Sequence, residues 1–262
     1  MMVPPTSHAP MNQNTTIPAT AIPLLPEQAA FGHVDHWIFD LDNTLYSHEA
    51  RVWPQVNERI SLYLLELFGL DGLSSHELRR YYYERYGTTL KGLMEEHSVD
   101  PDDFLAFAHD IDLTLLDPNP DLGAAIAALP GRKLILTNGS RGHAENVAGK
   151  LGILQHFEDI FDIVEAGFLP KPERATYENF LAKHAVDPAR AAMFEDIDKN
   201  LLVPSALGMK TVLIVPRTPD PFREAWEQAV VEAGHVDFVT DDLTGFLKPL
   251  VRSDLTPLPI SK

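Results

Sequence analysis

Apolar residues follow a different rule in each part of the chain. Up to Phe31 they follow none: Pro4, Pro5, Pro10, Pro18, Pro23 and Pro26 interrupt a stretch rich in Thr, Ala and Asn. Such a segment cannot bury enough surface to fold, so 1–31 reads as a flexible tail. Trp37-Ile38-Phe39 is then a short continuous apolar run that stops in Asp40-Leu41-Asp42-Asn43-Thr44. That is the profile of a buried strand ending in a carboxylate-rich turn, and ligands of parallel sheets gather at such strand ends. From 47 to 118 the period is helical throughout. Pro54 fits a first turn, and Val56, Ile60, Leu64, Leu67 and Phe68 keep helical spacing up to Gly69. Ser74-Ser75-His76-Glu77 matches a capping box for a helix running toward Gly87. Asp100-Pro101-Asp102-Asp103 offers a cap, a first-turn proline and early acidic charge for another.

From Asn119 onward helices and strands alternate. Asn119-Pro120 opens a helix over Leu122, Ile126 and Leu129, and Lys133 to Thr137 reads as a strand. A helix over Glu145 to Leu151 precedes a short strand from Phe161 to Val164, and a helix from Glu173 to His184 leads into a strand from Ala191 to Glu195. One further helix ends at Gly208, followed by a β run from Thr211 to Val215, a helix over Arg223 to Ala233 and a weak strand from Val236 to Val239. This alternation predicts an α/β protein with a parallel sheet covered on both faces. It divides the chain into a core of 32–46 and 119–250, a helical insert of 47–118 and a second tail of 251–262.

Composition narrows the function classes. With 262 residues, 45% hydrophobic and 23% charged, the chain can bury a substantial core. Its formal charge of −17 argues against a nucleic acid polymer or an anionic membrane as partner. There are no cysteines, hence no thiol nucleophile or thiolate metal site. No apolar run reaches membrane-spanning length, and the first lysine or arginine is Arg51, which leaves no basic n-region for a secretory signal. The expected location is cytoplasmic. HExxH, Walker A and GxGxxG patterns are absent.

Candidate chemistry sits at strand ends. Asp40 and Asp42 are separated by one residue; carboxylates that close repel unless a cation or a shifted proton balance relieves them, and Mg²⁺ suits both carboxylate and phosphate oxygens. A solvated acidic turn would show the same letters. Thr137-Asn138-Gly139-Ser140 ends a strand before a helix, where a hydroxyl and free amides suit a phosphate, or merely a helix cap. Lys171 lies between Pro170 and Pro172 ahead of a helix, and Met193-Phe194 runs into Glu195-Asp196. His33 and His36 precede a strand, where two-residue alternation would splay their rings, so they read as structural. Tyr81, Tyr82, Tyr83 and Tyr86 spread around a helix, and about half of them should pack the insert.

In this order the four elements resemble the haloacid dehalogenase superfamily, from about His36 to Leu250. The resemblance implies a Rossmann-like parallel sheet core with an inserted α-helical cap domain. More narrowly, Phe39-Asp40-Leu41-Asp42-Asn43-Thr44-Leu45-Tyr46 and Tyr83 to Leu93 are similar to its pyrimidine 5′-nucleotidase-like branch. It implies a Mg²⁺-dependent phosphomonoesterase in which Asp40 becomes an aspartyl phosphate and Asp42 is the general acid and base. Asp40, the Asp42 carbonyl and Asp196 would hold Mg²⁺ with Glu195 nearby; the Glu195-Asp196 pair stands where many relatives have two aspartates, which leaves the inner ligand open between them. Thr137 with the Asn138 or Gly139 amide would hold the phosphoryl group, Lys171 would offset charge, and Thr44 would brace the first loop. Tyr83 and Lys91 in the insert would meet the rest of the substrate, a small phosphorylated metabolite such as UMP or CMP. A sugar phosphate or phosphoglycolate phosphatase, a phosphomutase and a non-catalytic phospho-ligand sensor are the alternatives. The superfamily's dehalogenases lack the second aspartate, which disfavours that chemistry.

Overall fold

The computed structural model describes residues 28–221 and 233–250; the expected tail residues 1–27 and 251–262, and most of the expected helix over Arg223 to Ala233, lie outside them. Among the described residues, β1 (His36–Phe39), β2 (Arg132–Leu136), β3 (Asp159–Phe161), β4 (Ala191–Glu195), β5 (Lys210–Ile214) and β6 (Phe238–Thr240) form one sheet. Its order is β3-β2-β1-β4-β5-β6, with every pairing parallel. The chain reverses its direction of growth between β1 and β4, where open α/β sheets leave a crevice at their carboxyl ends.

The apolar runs become strands because both faces of this sheet are covered. Trp37 and Phe39 join one core cluster and Ile38 the other. The same alternation repeats in Ile135 against Leu134 and Leu136, and in Phe194 against Met193, as a two-residue period demands. Phe39 stacks on Phe194 at 4.6 Å, and the buried Trp37 indole donates to the Pro130 carbonyl at 2.6 Å. The short helix α1 (Gln28–Phe31) corrects the expected tail boundary: Phe31 belongs to the core and packs on Trp37, Phe238 and Phe246. The expected strands over Phe161–Val164 and Val236–Val239 pair as β3 and β6 instead, because register follows the neighbouring strands.

Between β1 and β2 stand α2 (Val52–Phe68), α3 (Gly72–Tyr86), α4 (Thr89–His97) and α5 (Pro101–Ala108). They share an apolar cluster of their own, built on Leu64, Tyr82, Leu93 and Phe104, which also takes in Ile163 from beyond β3. Asp71, not the expected Ser74, caps α3 by accepting from the Ser74 amide. The pattern did not separate α4, whose N-cap is Thr88; it packs so closely on α3 that a Cβ at Gly92 would lie 2.3 Å from the Tyr82 ring. The core completes with α6 (Pro120–Ala128), α7 (Arg141–Leu151), α8 (Arg174–His184), α9 (Leu202–Ala206) and α10 (Leu243–Leu247). None of the described helices is long and apolar enough to cross a membrane.

Candidate active site

Asp40 follows β1 directly, and its amide donates to the Phe194 carbonyl at 2.9 Å, extending the ladder one residue beyond the strand. Thr137 does the same after β2, donating to the Phe161 carbonyl at 3.0 Å. The sheet therefore fixes both residues at its carboxyl edge. Glu195 ends β4 beside them.

Lys171 ties these ends together. Its buried ammonium donates to Asp40 Oδ1 at 2.6 Å, to the Leu136 carbonyl at 2.9 Å and to Glu195 Oε2 at 3.2 Å. Burial alone would lower its pKa, but the Asp40 and Glu195 charges more than reverse this and hold it above the usual lysine value. Asn138 grips the same residue by its backbone: the Lys171 amide donates to Asn138 Oδ1 at 2.8 Å, and Asn138 Nδ2 donates to the Lys171 carbonyl at 3.3 Å. In the sequence Asn138 suggested a phosphate amide; the fold adds a brace for the lysine 33 residues away. Thr137 Oγ1 accepts from the Gly139 amide at 2.9 Å. A Cβ at Gly139 would sit 3.2 Å from His143 Cδ2 and 3.3 Å from Thr137 Oγ1, so a larger residue would push into the site.

One Lys171 cation faces several carboxylates. Burial pushes the Asp40 carboxyl up, with Lys171 opposing and Asp42 reinforcing. Burial, then the charge of Asp40, raises Glu195 well above the carboxylate range, although Asn200 Nδ2 donates to its Oε1. Oxygen atoms of Asp40, Glu195 and Asp196 lie within 4.8 Å of one another, all three buried. A compact, oxygen-only, anionic donor set suits a hard divalent cation such as Mg²⁺. The Asp42 side chain is outside that cluster, which leaves its backbone carbonyl as the donor it can offer.

Asp42 turns the other way, into contacts the sequence did not reveal. Its Oδ1 accepts from the Tyr46 hydroxyl at 2.5 Å and meets His143 Nε2 at 2.9 Å. Burial would raise this carboxyl, yet His143, then Tyr46, bring it below the usual value. The His143 ring stacks on His109 at 4.4 Å with an interplanar angle of 14°. His109 lies at the C-terminal end of α5, its Nδ1 2.9 Å from Ser140 Oγ, and burial lowers its pKa to about 3. The hydrophobic pattern began α7 at Glu145, whereas Ser140 caps it at Arg141. That missing first turn contains His143, so no signal aimed the imidazole at Asp42.

The insert roofs this carboxyl edge and closes a cavity. Asp40, Asp42, Thr137, Asn138, Gly139, Lys171, Glu195 and Asp196 line its floor. Trp53, Val56, Asn57, Ile60, Arg79, Tyr83, Thr88 and Phe104 line its helical side. Tyr83 thus falls where a substrate could reach it, under the Lys199 ammonium at 4.0 Å from the ring centroid, while Tyr82 packs the insert and Tyr81 is exposed. Two expected residues are elsewhere. Lys91 does not line the cavity; it reaches Glu173 at 3.6 Å, beside the Lys171 loop. Thr44 is buried outside the cavity and, among the described residues, its hydroxyl has no hydrogen-bond partner, so the loop is braced by backbone bonds from Thr44 and Leu45 to the Leu41 carbonyl instead. His36, at the opposite end of β1, places Nδ1 2.6 Å from Asp35 Oδ1.

The fold and site define an α/β protein with an acidic cavity at the carboxyl edge of its parallel sheet. The family model of haloacid dehalogenase-like hydrolases matches residues 34–208, and the chain belongs to that family. Phosphate metabolism protein 8 of Saccharomyces cerevisiae is 27% identical over 195 residues, 68% of this chain and 60% of the yeast protein. The chain thus spans about 60% of that relative's length. Among solved structures, L-2-haloacid dehalogenase from Xanthobacter autotrophicus with chloropropionic acid covalently bound is similar at TM-score 0.51 and 20% identity, over 84% of this chain and 99% of the other. The defluorinating L-2-haloacid dehalogenase Rha0230 is similar at TM-score 0.52 and 16% identity, over 83% and 95%. At such identities the likeness is one of fold.

Proposed function

We propose that the chain is a phosphomonoesterase that passes the phosphoryl group through Asp40. The observation that carries this reading is the pairing, in one cavity, of a buried carboxylate beside Lys171 with a second carboxyl group, Asp42, held apart by His143 and Tyr46. Halide leaves as an anion and needs no proton, whereas an alkoxide leaving from phosphorus does, so a second carboxyl group is useful to a phosphatase and idle in a dehalogenase. The yeast relative's name, which speaks of phosphate metabolism, points the same way.

An Asp40 oxygen attacks phosphorus, and the ester oxygen departs with a proton from Asp42. Asp42 then takes a proton from the water that attacks the aspartyl phosphate, and the Asp40 carboxylate is restored. Thr137 and the Asn138 amide bind the phosphoryl oxygens, and Lys171 offsets their charge against Asp40. Asp40, Asp196 and the Asp42 carbonyl would hold Mg²⁺, which when bound supplies positive charge to the phosphoryl oxygens. Glu195, already engaged by Lys171 and Asn200, orients the lysine.

Pyrimidine nucleoside 5′-monophosphates are the proposed substrates: Trp53 and Tyr83 offer faces for a base, and Asn57, Arg79 and Thr88 offer polar atoms for its edge or the ribose. Phosphate release from UMP, CMP, AMP, ribose 5-phosphate and p-nitrophenyl phosphate, with Mg²⁺ and with EDTA, tests the reading. Turnover should vanish in EDTA, return with Mg²⁺, and fall at least about a thousandfold in a folded Asp40→Asn variant. Turnover undiminished in that variant, or chloride release from 2-chloropropionate instead, would remove it. Tyr83→Ala should erode kcat/KM for UMP more than for ribose 5-phosphate; equal losses would remove the nucleotide assignment alone.

A further inference from the structure

Asp42 is an unusual acid in its surroundings. Both groups that reach it, the Tyr46 hydroxyl and His143 Nε2, meet the same oxygen, Oδ1, at 2.5 and 2.9 Å. Among the described residues no hydrogen bond is directed at Oδ2. Tyr46 lies one helical turn's distance along the loop from Asp42, whereas His143 comes from 101 residues away, so two independent segments converge on one atom.

The imidazole is held as firmly as the carboxylate. His143 is almost wholly buried in the first turn of α7. Its amide donates to the Ser140 hydroxyl oxygen at 3.3 Å, and that oxygen lies 2.9 Å from His109 Nδ1. His109 stacks flat on the ring from the insert side, and Gly139 leaves just the room the ring edge needs. The stack adds no charge, because burial keeps His109 neutral through the physiological range.

We propose that His143 and Tyr46 are positioning residues for the Asp42 carboxyl group: by donating to Oδ1 they fix its rotation so that Oδ2 carries the proton given to the leaving oxygen and later taken from water. This rests on the reading of Asp42 as general acid and base. Two donors on one oxygen make that oxygen the poorer site for a proton, and the proton therefore resides on Oδ2. A carboxyl group free to rotate would present its proton in the reacting direction only part of the time. Neither positioning residue touches phosphorus.

Such a role has a signature that a merely structural one lacks. The ratio kcat/KM covers the steps through departure of the leaving group, so losing the aim of the acid should hurt poor leaving groups and spare good ones. Aryl phosphates with phenols of graded acidity, of similar shape, give the series. In His143→Ala, kcat/KM should fall about tenfold more for the least acidic phenol than for p-nitrophenol. Tyr46→Phe should show the same trend more weakly, and His143→Gln, which restores a side-chain N–H donor, should recover part of it. Parallel losses across the series in any folded variant would overturn the proposal, with the Gln and Phe variants deciding if the Ala variant does not fold. A wild type without phosphate release would instead overturn the phosphatase reading, and this inference with it.

Discussion

Single side chains here are defined by partners far away in sequence. Asn138 holds Lys171 by two hydrogen bonds to its backbone, so Asn138→Ala should lower kcat about tenfold and cost about 1–2 kcal/mol of stability. Steady-state kinetics with denaturant unfolding would check it; unchanged kcat would mean that Lys171 keeps its place without the brace. His109 makes a prediction about pH. Its folded-state pKa, about 3, is depressed below the ordinary value of 6.5. Between these values the unfolded chain takes a proton that the folded chain refuses, so stability is complete above about 6.5 and is lost as pH falls. By pH 5 the loss should approach about 2 kcal/mol. His109→Phe keeps a ring against His143 and removes the titrating group, and its unfolding free energy should therefore fall less between pH 7 and pH 5 than that of the wild type. Identical pH dependence would show that this imidazole is accessible to protons in the folded state.

At the scale of elements, the join between insert and core carries the most specific demands. Gly87 ends α3 with φ of +86°, where an L side chain is strained, and a Cβ there would lie 2.8 Å from Pro170 Cγ, next to Lys171. Gly87→Ala should destabilise by about 1–3 kcal/mol and also depress turnover, since the displaced proline adjoins the lysine. Denaturant melts and kcat together test this; a loss of stability with unchanged kcat would separate the insert's packing from the site. The helices themselves were readable where capping and spacing agree, as in α5 with Asp100 and Pro101, and α6 with Asn119 and Pro120. They were misread where a polar turn hides the start, as with α4 behind Thr88 and α7 behind Ser140. A cap residue looks like loop in a hydrophobic pattern, and only the closed turn tells the two apart.

For the whole molecule, the formal charge of −17 surrounds a site that, on the proposed phosphatase reading, admits a phosphate ester. Long-range repulsion should slow its arrival, while Lys171 acts only at contact. Raising ionic strength from low values to about 0.15 M should therefore raise kcat/KM, by roughly twofold, at fixed free Mg²⁺; a fall would show that local positive charge steers the substrate. The strand-end positions of Asp40, Thr137 and Glu195 were legible in the sequence because a buried strand is a continuous apolar run and its end is an abrupt change of polarity. The alternation of such runs with helical periods specified the parallel α/β sheet and the helical insert, since each pattern matches only one way of hiding apolar surface. What the chain alone did not disclose is which polar side chains meet. The turn of Asp42 toward His143 and Tyr46, the departure of Lys91 to Glu173 and the sealing of Thr44 away from the cavity depend on loops packing across more than one element. Hydrophobic burial leaves a periodic trace along a sequence, whereas a hydrogen bond between residues 42 and 143 leaves none until the fold has brought them within 2.9 Å.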